Sequence, residues 1–258
     1  MLKVRIIPTL LWKNLTLVKG KKFDSWRTIG SLLPSVKVYN SRDVDELILL
    51  DIDATISGGE IDYDIIYEVA KNCFVPLTVG GGISNINQIR KLLKSGADKV
   101  SLNSVLFENV NIIEDAVKIF GSQCIVASID VKRVNGKYIC FSHCGKKNTG
   151  IDPMILVKQL ENKGVGEILL TSIDHDGTMR GYDLDIIKAI SNKINIPLIA
   201  SGGAGCFEDM KRAVLDAGAS AVAAASIFQF TEKTPLEAKH YLNSHNIPVR
   251  LIKSSKIL

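Results

Sequence analysis

Two stretches of the sequence decide the fold: residues 76–82 read PLTVGGG and residues 197–203 read PLIASGG. Each is a short apolar run that ends in glycines, the pattern of a buried strand followed by a tight turn. Two further pairs of segments recur at nearly the same spacing. Residues 48–53 resemble residues 168–174, and residues 96–98 resemble residues 218–220. A repeat of about 120 residues predicts a fold that is made by doubling one half.

Strand-like runs alternate with amphipathic helical stretches along the whole chain. The strand candidates are nearly continuous apolar runs, which is typical of strands buried on both faces of a parallel sheet. They are Val4–Leu10, Glu46–Ile52, Leu77–Val79, Lys99–Leu102, Ile125–Ile129, Glu167–Ser172, Pro197–Ala200 and Ala221–Ala225. The helical candidates include Ile86–Ser95, Asn111–Phe120, Pro153–Lys163, Leu184–Lys193 and Phe207–Ala217.

This alternation predicts an α/β fold, a (β/α)8 TIM barrel, with a doubly wound open sheet as the alternative. The internal half-barrel repeat favours the barrel, since an open sheet does not predict it. No linker rich in proline, glycine or serine divides the sequence. We therefore expect residues 1–258 to form a single barrel domain.

The composition is that of a globular protein. The 258 residues are 46% apolar and 23% charged, which excludes a disordered chain and a small disulfide-rich module. No apolar run approaches the roughly 18 residues of a membrane span, and the segment MLKVRIIPTLLWK is interpreted as a first strand and not as a signal peptide. The net charge of +5 suits small anionic ligands, while the 6% aromatic content gives no base-stacking surface for nucleic acid.

The five cysteines do not form a disulfide or metal pattern. Their number is odd and their spacing is wide, which favours a reducing cytoplasm. Cys140 and Cys144 flank His143, but the segment contains no C-x2-C pair, so zinc is disfavoured. We expect neither a metal nor an organic cofactor.

Glycine clusters follow two of the predicted strands, at Gly80–Gly82 and at Gly202–Gly203. In a (β/α)8 barrel the strand C-termini carry the reactive groups, and glycine lets a phosphate approach backbone N–H groups. The segment Asn103–Ser104 and the residue Ser226 add side-chain donors at the same end. Tight turns alone explain one cluster, whereas two clusters at symmetric positions favour a ligand with a phosphate at each end.

The carboxylate of Asp130 is a candidate general acid or base. Asp130 ends the fifth predicted strand after an apolar run, although a loop cap or an ion pair with Lys132 or Arg133 is the structural alternative. Asp51 and the segment Asp174–Gly177 offer similar carboxylates after other strands. In the first half, the position that matches Asp130 is Leu11, so a pair of carboxylates across the barrel would lack one member.

Four charges lie at the opposite ends of the predicted strands. Arg5, Glu46, Lys99 and Glu167 begin strands or flank their first residues, and two are positive and two negative. Pointing inward, they would form a neutral ring at the bottom of the barrel that acts as a gate. Pointing outward, they would be ordinary solvated strand ends.

The sequence resembles a known family over residues 3 to about 250. The motifs that carry the resemblance are Arg5–Pro8, Leu17–Gly20, Asp45–Leu47, Pro76–Ile83, Gly96–Val100, Phe120–Ile125, Gly166–Ser172, Asp176–Thr178, Gly181–Asp183 and Ala200–Gly205. They resemble the cyclase subunit of imidazole glycerol phosphate synthase, the HisF family. The resemblance implies a TIM-barrel lyase that forms a heterodimer with a glutaminase subunit, receives its ammonia at the bottom of the barrel and conducts it to the top.

Site residues carried over from this family match the positions found above. The resemblance implies that Arg5, Glu46, Lys99 and Glu167 form the ammonia gate, that Asp98 contacts the glutaminase, and that Lys19 lies on a mobile loop over the active site. The substrate there is a bisphosphorylated aminoimidazole carboxamide ribonucleotide. Its implied phosphate contacts are Gly82, Asn103, Ser104, Asp176, Gly177, Gly203, Ala225 and Ser226.

The departures from the family pattern cluster around strand 1. The two catalytic aspartates fall on Leu11 and Asp130, so one carboxylate is replaced by an alkyl group. Trp12–Leu15 replaces a usual Val-Lys-Asp-Gly, and Ser31–Pro34 replaces a usual Asp-Pro. The segments Phe23–Arg27 and Pro34–Leu50 look more like a divergent branch, whose members work with a glutaminase and a separate sugar amidotransferase to amidinate a nucleotide sugar for surface polysaccharide.

Overall fold

The fold is a closed barrel of parallel strands surrounded by helices. A computed structural model describes residues 3–13 and 16–251. Its barrel strands are β1 (Arg5–Lys13), β4 (Leu47–Asp51), β5 (Leu77–Gly80), β6 (Lys99–Leu102), β7 (Ile125–Val134), β10 (Glu167–Ser172), β11 (Leu198–Ser201) and β12 (Ala221–Ala224). Each is hydrogen-bonded in parallel to its neighbours, and β12 pairs with β1 to close the ring. The closure confirms the (β/α)8 barrel and excludes the open sheet.

Helices alternate with the barrel strands, and most of them cover the outside of the barrel. They are α1 (Leu32–Ser41), α2 (Ala54–Ser57), α3 (Tyr63–Lys71), α4 (Ile86–Lys94), α5 (Ile112–Phe120), α6 (Pro153–Asn162), α7 (Leu184–Ser191), α8 (Phe207–Leu215), α9 (Ser226–Phe230) and α10 (Pro235–Ser244). Several begin at a residue whose side chain accepts backbone N–H groups, as Asp62, Asn85 and Asp152 do. Among the described residues, no helix is long and apolar enough to cross a membrane.

Buried apolar side chains form two groups. The larger group fills the space between the strands and the helices. The smaller group lies inside the barrel and contains Ile7, Ile48, Val126, Leu169, Ile199, Ala221 and Ala223. Because side chains alternate between the two faces of a strand, six of the eight barrel strands contribute to both groups. Strands β5 and β6 contribute apolar side chains only to the larger group. This alternation explains the continuous apolar runs in the sequence.

Antiparallel extensions at the C-terminal end of the barrel were not predicted from the sequence. Strand β1 continues to Lys13 and pairs with β2 (Thr16–Lys21), which in turn pairs with β3 (Asp24–Ser31). Strand β7 continues to Val134 and pairs with β8 (Lys137–Ser142), which pairs with β9 (Lys147–Asn148). The predicted strands Val4–Leu10 and Ile125–Ile129 were therefore too short. We refer to β2, β3 and their turn as the lid.

Candidate functional site

A cavity occupies the mouth of the barrel, where the C-terminal ends of the strands meet. It brings together most of the mouth residues singled out in the sequence, whereas Gly80 and Asp174 do not line it. Those that line it include Leu11, Lys19, Gly82, Asn103, Ser104, Asp130, Asp176, Gly177, Gly203, Ala225 and Ser226. Parallel strands carry their C-termini to the same end of a barrel, so residues far apart in the sequence converge on one cavity.

Asp130 is the buried carboxylate of this cavity. It is 8% exposed, and its Oδ2 accepts a hydrogen bond of 3.1 Å from the Asn103 amide. Burial, together with the nearby negative charge of Asp176, raises the pKa of Asp130 to about 7. A carboxyl group with such a pKa can both take and give a proton near neutral pH. The alternative ion pair with Lys132 or Arg133 is not formed within the described structure.

Leu11 occupies the mouth from strand β1. Its side chain is 8% exposed, and the residue lies in register with Leu50 on β4 and with Val18 on β2. The wall that it forms with Leu50 is alkyl in character and has no group that can exchange a proton. The mouth therefore has a titratable carboxyl on β7 and an apolar surface on β1.

The two other carboxylates at the mouth are already engaged. Oδ1 of Asp51 accepts the backbone N–H groups of Asp53 and Ala54, at 2.9 and 3.0 Å. Burial raises the pKa of Asp51, and these hydrogen bonds oppose the rise. Asp176 accepts the Lys19 ammonium on both of its oxygens, at 2.9 and 2.8 Å. Neither carboxylate is free to replace the one that Leu11 lacks.

The lid crosses the mouth and is held on its far side. Lys19 is 2% exposed where it meets Asp176, and the N–H of Lys22 donates to the backbone oxygen of Asp176 at 2.8 Å. Phe23 and Trp26 line the cavity from the lid. At the other edge, the Arg27 guanidinium lies 4.0 Å from the centroid of the Phe230 ring.

Glycines of both clusters line the mouth, where they leave parts of the backbone accessible from the cavity. The N–H of Gly82 donates to the Thr55 hydroxyl at 3.1 Å, while Gly203 lines the second half of the mouth. The Ser226 hydroxyl is buried at 6% exposure and has no hydrogen-bond partner in residues 3–13 and 16–251. A buried hydroxyl without a partner is costly, which is consistent with an external ligand at that position.

The four charges at the bottom form one connected ring. The Arg5 guanidinium donates to Glu46 at 2.7 Å and to Glu167 at 2.9 Å, and the Lys99 ammonium reaches the same two carboxylates at 3.1 Å. Burial by itself would lower the pKa of Arg5, but the two carboxylates outweigh it, and the pKa is raised. The charges therefore point inward and are not solvated strand ends.

Asp98 lies beside this ring on the exposed face. Its Oδ2 accepts the N–H of Leu77 at 2.8 Å, which fixes the start of β5. The residue as a whole is exposed. Asp98 is therefore accessible to a protein that covers the bottom of the barrel.

The family model described as "Histidine biosynthesis protein" matches residues 5–234. The chain belongs to this family. It is 47% identical over 252 residues to a protein of Campylobacter jejuni named "Putative imidazole glycerol phosphate synthase subunit hisF2", covering 98% of this chain and 100% of that protein. It is 45% identical over 251 residues to the "Imidazole glycerol phosphate synthase subunit HisF" of Natranaerobius thermophilus, covering 97% and 100%. The resemblance to HisF subunits is confirmed over nearly the whole chain.

Several residues at the mouth of this HisF-family barrel were not predicted from the sequence, and two residues of the loop after β1 lie outside the described ranges. Trp26, Thr55 and Cys144 line the cavity, although the sequence did not predict any of them at the mouth. Burial raises the pKa of Cys144 to about 12, so this cysteine is a neutral thiol. In the divergent loop, Asn14 and Leu15 lie outside the described residues.

Proposed function

We propose that this HisF-family chain is the ammonia-conducting subunit of a glutamine-dependent amidotransferase complex and has little or no cyclase activity. The observation that carries the proposal is the pairing of an intact ion-pair ring at the bottom with Leu11 at the mouth. A general acid or base typically contributes 10²–10⁴-fold to a rate, so loss of one of two such groups removes most of the ring-forming activity.

The barrel interior supports conduction of a small neutral molecule. Along β1, alternate side chains run from Arg5 in the ring through Ile7 in the inner apolar group to Thr9 and Leu11 at the mouth. Strand β10 repeats this order with Glu167, Leu169 and Thr171 (the last two also line the cavity). Ammonia can cross an apolar layer, whereas ammonium would have to lose its hydration there.

The bottom face is the entrance in this proposal. A glutaminase subunit forms a heterodimer there, contacts Asp98 and releases ammonia at the ring of Arg5, Glu46, Lys99 and Glu167. The resemblance to the HisF family and the similarity to synthase subunits support this partner. The chain acts as one domain over residues 1–258 and needs no metal or organic cofactor.

The ammonia acceptor lies beyond the mouth. We propose a separate sugar amidotransferase that converts an acetamido group of a nucleotide sugar for surface polysaccharide, on the basis of the divergent segments around Phe23–Arg27 and Pro34–Leu50. The donors at the mouth then hold a bisphosphorylated or sugar-nucleotide ligand. Their implied contacts remain Gly82, Asn103, Ser104, Asp176, Gly177, Gly203, Ala225 and Ser226.

Two other functions need consideration. An active cyclase of histidine biosynthesis is supported by the 45% identity to a HisF subunit and by the pKa of Asp130 near neutrality. The second alternative to the proposed function is a scaffold that binds phosphates and partners without transferring a chemical group. Substitution of Glu46 or Lys99 separates this scaffold from a conduit, because only the conduit should uncouple glutamine hydrolysis from nitrogen transfer.

The deciding experiment supplies the purified chain with the ribulosyl aminoimidazole carboxamide substrate and ammonium salt at alkaline pH. Free ammonia replaces the glutaminase, so substrate loss by absorbance reports the chemistry at the mouth alone. We expect turnover by the wild type to be undetectable or at least 10²-fold below that of Leu11→Asp, with Leu11→Asn as the matched control. Turnover by the wild type within about tenfold of an ordinary cyclase would establish the histidine-pathway function instead.

A further inference from the structure

Asp45 joins the ion-pair ring to the C-terminal segment of the chain. The N–H of Ile6 donates to Asp45 Oδ2 at 2.9 Å, and the N–H of Asp45 donates back to the Ile6 oxygen at 3.3 Å. Ile6 follows Arg5 in the sequence and Asp45 precedes Glu46. This reciprocal pair of hydrogen bonds therefore fixes the two backbones that carry the 2.7 Å contact between Arg5 and Glu46.

Two cations hold Asp45 from the other side. The Lys239 ammonium on α10 lies 2.8 Å from Asp45 Oδ1, and the Arg250 Nε lies 3.0 Å from the same oxygen. Asp43 completes the cluster, because its carboxylate accepts Arg250 at 2.9 Å and lies 3.3 Å from Lys239. We call Asp43, Asp45, Lys239 and Arg250 the C-terminal charge cluster.

The cluster extends from the interior to the surface at the bottom of the barrel. The Lys239 side chain is fully buried, whereas the Arg250 side chain is 44% exposed. The neighbouring residue Val249 forms a parallel bridge with Val4, and the N–H of Val4 donates to the Pro248 oxygen at 2.7 Å. Arg250 is therefore held beside the start of β1, at the same end of the barrel as Arg5.

Anchoring a chain end does not require four charges. Burying paired charges carries a desolvation cost, and apolar contacts of similar volume stabilise such a segment at least as well. What the charged cluster adds is a defined geometry, because a carboxylate that accepts three donors holds its neighbours in one arrangement. Here Asp45 holds Ile6, and these two residues are next to Glu46 and Arg5 of the ring.

We propose that Asp45 is a positioning residue for the gate and that Arg250 is the exposed end through which a docked partner acts on it. The inference rests on the proposed conduit function, and the partner is the glutaminase at the bottom face. When a partner draws Arg250 away from Asp45, the carboxylate keeps Lys239 but loses one of its fixed donors. The Ile6–Asp45 pairing then loosens, and the distance between Arg5 and Glu46 can change.

The test uses the complex of this chain with a glutaminase and an acceptor subunit from the same genome. Amide-¹⁵N glutamine is supplied, and the ratio of ¹⁵N transferred to glutamate formed is measured at saturating glutaminase. Asp45→Asn is the central variant, because it keeps an acceptor for Ile6, removes the charge and changes a side chain that is only 6% exposed. We expect the ratio to fall at least threefold while the Kd for the glutaminase changes less than twofold.

Arg250→Met and Arg250→Lys provide a second route if Asp45→Asn does not fold. Met keeps the apolar stem and should lower the ratio, and Lys should restore at least half of it. Arg212→Met is the matched control, since Arg212 on α8 forms an exposed 3.5 Å pair with Asp216, which follows that helix. A wild-type ratio in Asp45→Asn, or in Arg250→Met if the former does not fold, would overturn the inference. A wild-type ratio in Lys99→Met would overturn the conduit function itself.

Discussion

Lys19 and Asp176, 157 residues apart in the sequence, form a buried ion pair between the lid and the far rim of the barrel. The ammonium lies 2.9 and 2.8 Å from the two carboxylate oxygens. The side chains are 2% and 12% exposed, so water can replace neither partner well in the closed arrangement. The pair therefore links the position of the lid to a residue in the implied phosphate site.

Asp176→Asn should release the lid more than Lys19→Met does. Loss of Asp176 leaves the more deeply buried charge without a partner, whereas loss of Lys19 leaves a carboxylate that is nearer to water. We expect amide hydrogen exchange in residues 16–31 to accelerate at least tenfold in Asp176→Asn, which corresponds to about 1.4 kcal/mol. Mass spectrometry of peptides from the lid measures this, with exchange in β10 as an internal reference.

The control is Lys21→Met, because Lys21 is exposed in the same strand and forms no ion pair within the described residues. This variant should exchange like the wild type. Equal exchange in Asp176→Asn and Lys21→Met would show that the ion pair does not hold the lid.

Asp130 should make the protein less stable as the pH rises from about 4 to about 7. The folded state raises the pKa of Asp130 to about 7, above the value of about 3.9 in an unfolded chain, so the folded state retains the proton over this range. Stability therefore falls through this window and levels off above it. Asp130→Asn removes the titration and should gain up to about 4 kcal/mol over the wild type at pH 8, with little difference at pH 4.

Urea unfolding at pH 4, 6 and 8 measures this difference. Asp152→Asn serves as the control, because Asp152 is an exposed cap whose Oδ1 accepts the N–H of Met154. A stability difference between Asp130→Asn and the wild type that is independent of pH would contradict the prediction.

The barrel was predictable because its signals are local, whereas the inward orientation of the four ring charges was implied only by the resemblance to the HisF family. The charges at Arg5, Glu46, Lys99 and Glu167 coincide with the starts of apolar runs, so their common end follows from the strand order. The site at the mouth follows in the same way from residues next to strand C-termini. These predictions required no knowledge of individual side-chain contacts.

The lid was not predictable because its stabilising contacts are distant and its own pattern is weak. Strand β3 is largely exposed and shows no apolar alternation over Asp24–Ser31. Its turn uses Lys22 and Phe23 in the left-handed region, with φ of 55° and 61°, where glycine or asparagine would give a turn signal. The pairing of Lys19 with Asp176 and of Asp45 with Lys239 depends on the folded barrel.

The two glutamates of the ring should differ in their response to amide substitution. Both oxygens of Glu46 receive a cation, since Arg5 and Lys99 reach Oε1 and Lys99 also reaches Oε2. Glu167 receives both cations on Oε1, and its Oε2 has no partner within residues 3–13 and 16–251. In Glu46→Gln the new NH2 group faces a cation in either orientation, whereas in Glu167→Gln it can replace the unpaired oxygen.

We therefore expect Glu46→Gln to lower the free energy of unfolding by about 1–2 kcal/mol more than Glu167→Gln does. Urea denaturation at neutral pH measures both. Each variant removes one negative charge from the same ring, so the two serve as controls for each other. Equal losses would mean that the charge alone, and not the geometry of the hydrogen bonds, stabilises the ring.

Gly20→Ala should open the lid without altering any charged or titratable group. A Cβ atom at position 20 would lie 2.3 Å from the Asp24 oxygen and 2.8 Å from Cε3 of Trp26. The first contact is with backbone, so β2 and β3 must separate to relieve it, and Trp26 must leave the cavity wall. We expect faster amide exchange in residues 16–31 and a red shift of the Trp26 fluorescence, with global stability reduced by about 1–2 kcal/mol.

Thr28→Ala, at an exposed position of β3, is the matched control and should leave both signals unchanged. Because Lys19 and Asp176 remain in Gly20→Ala, an unchanged lid in this variant would mean that their ion pair outweighs the steric clash, whereas an open lid would show that backbone fit is required to bring the two charges together.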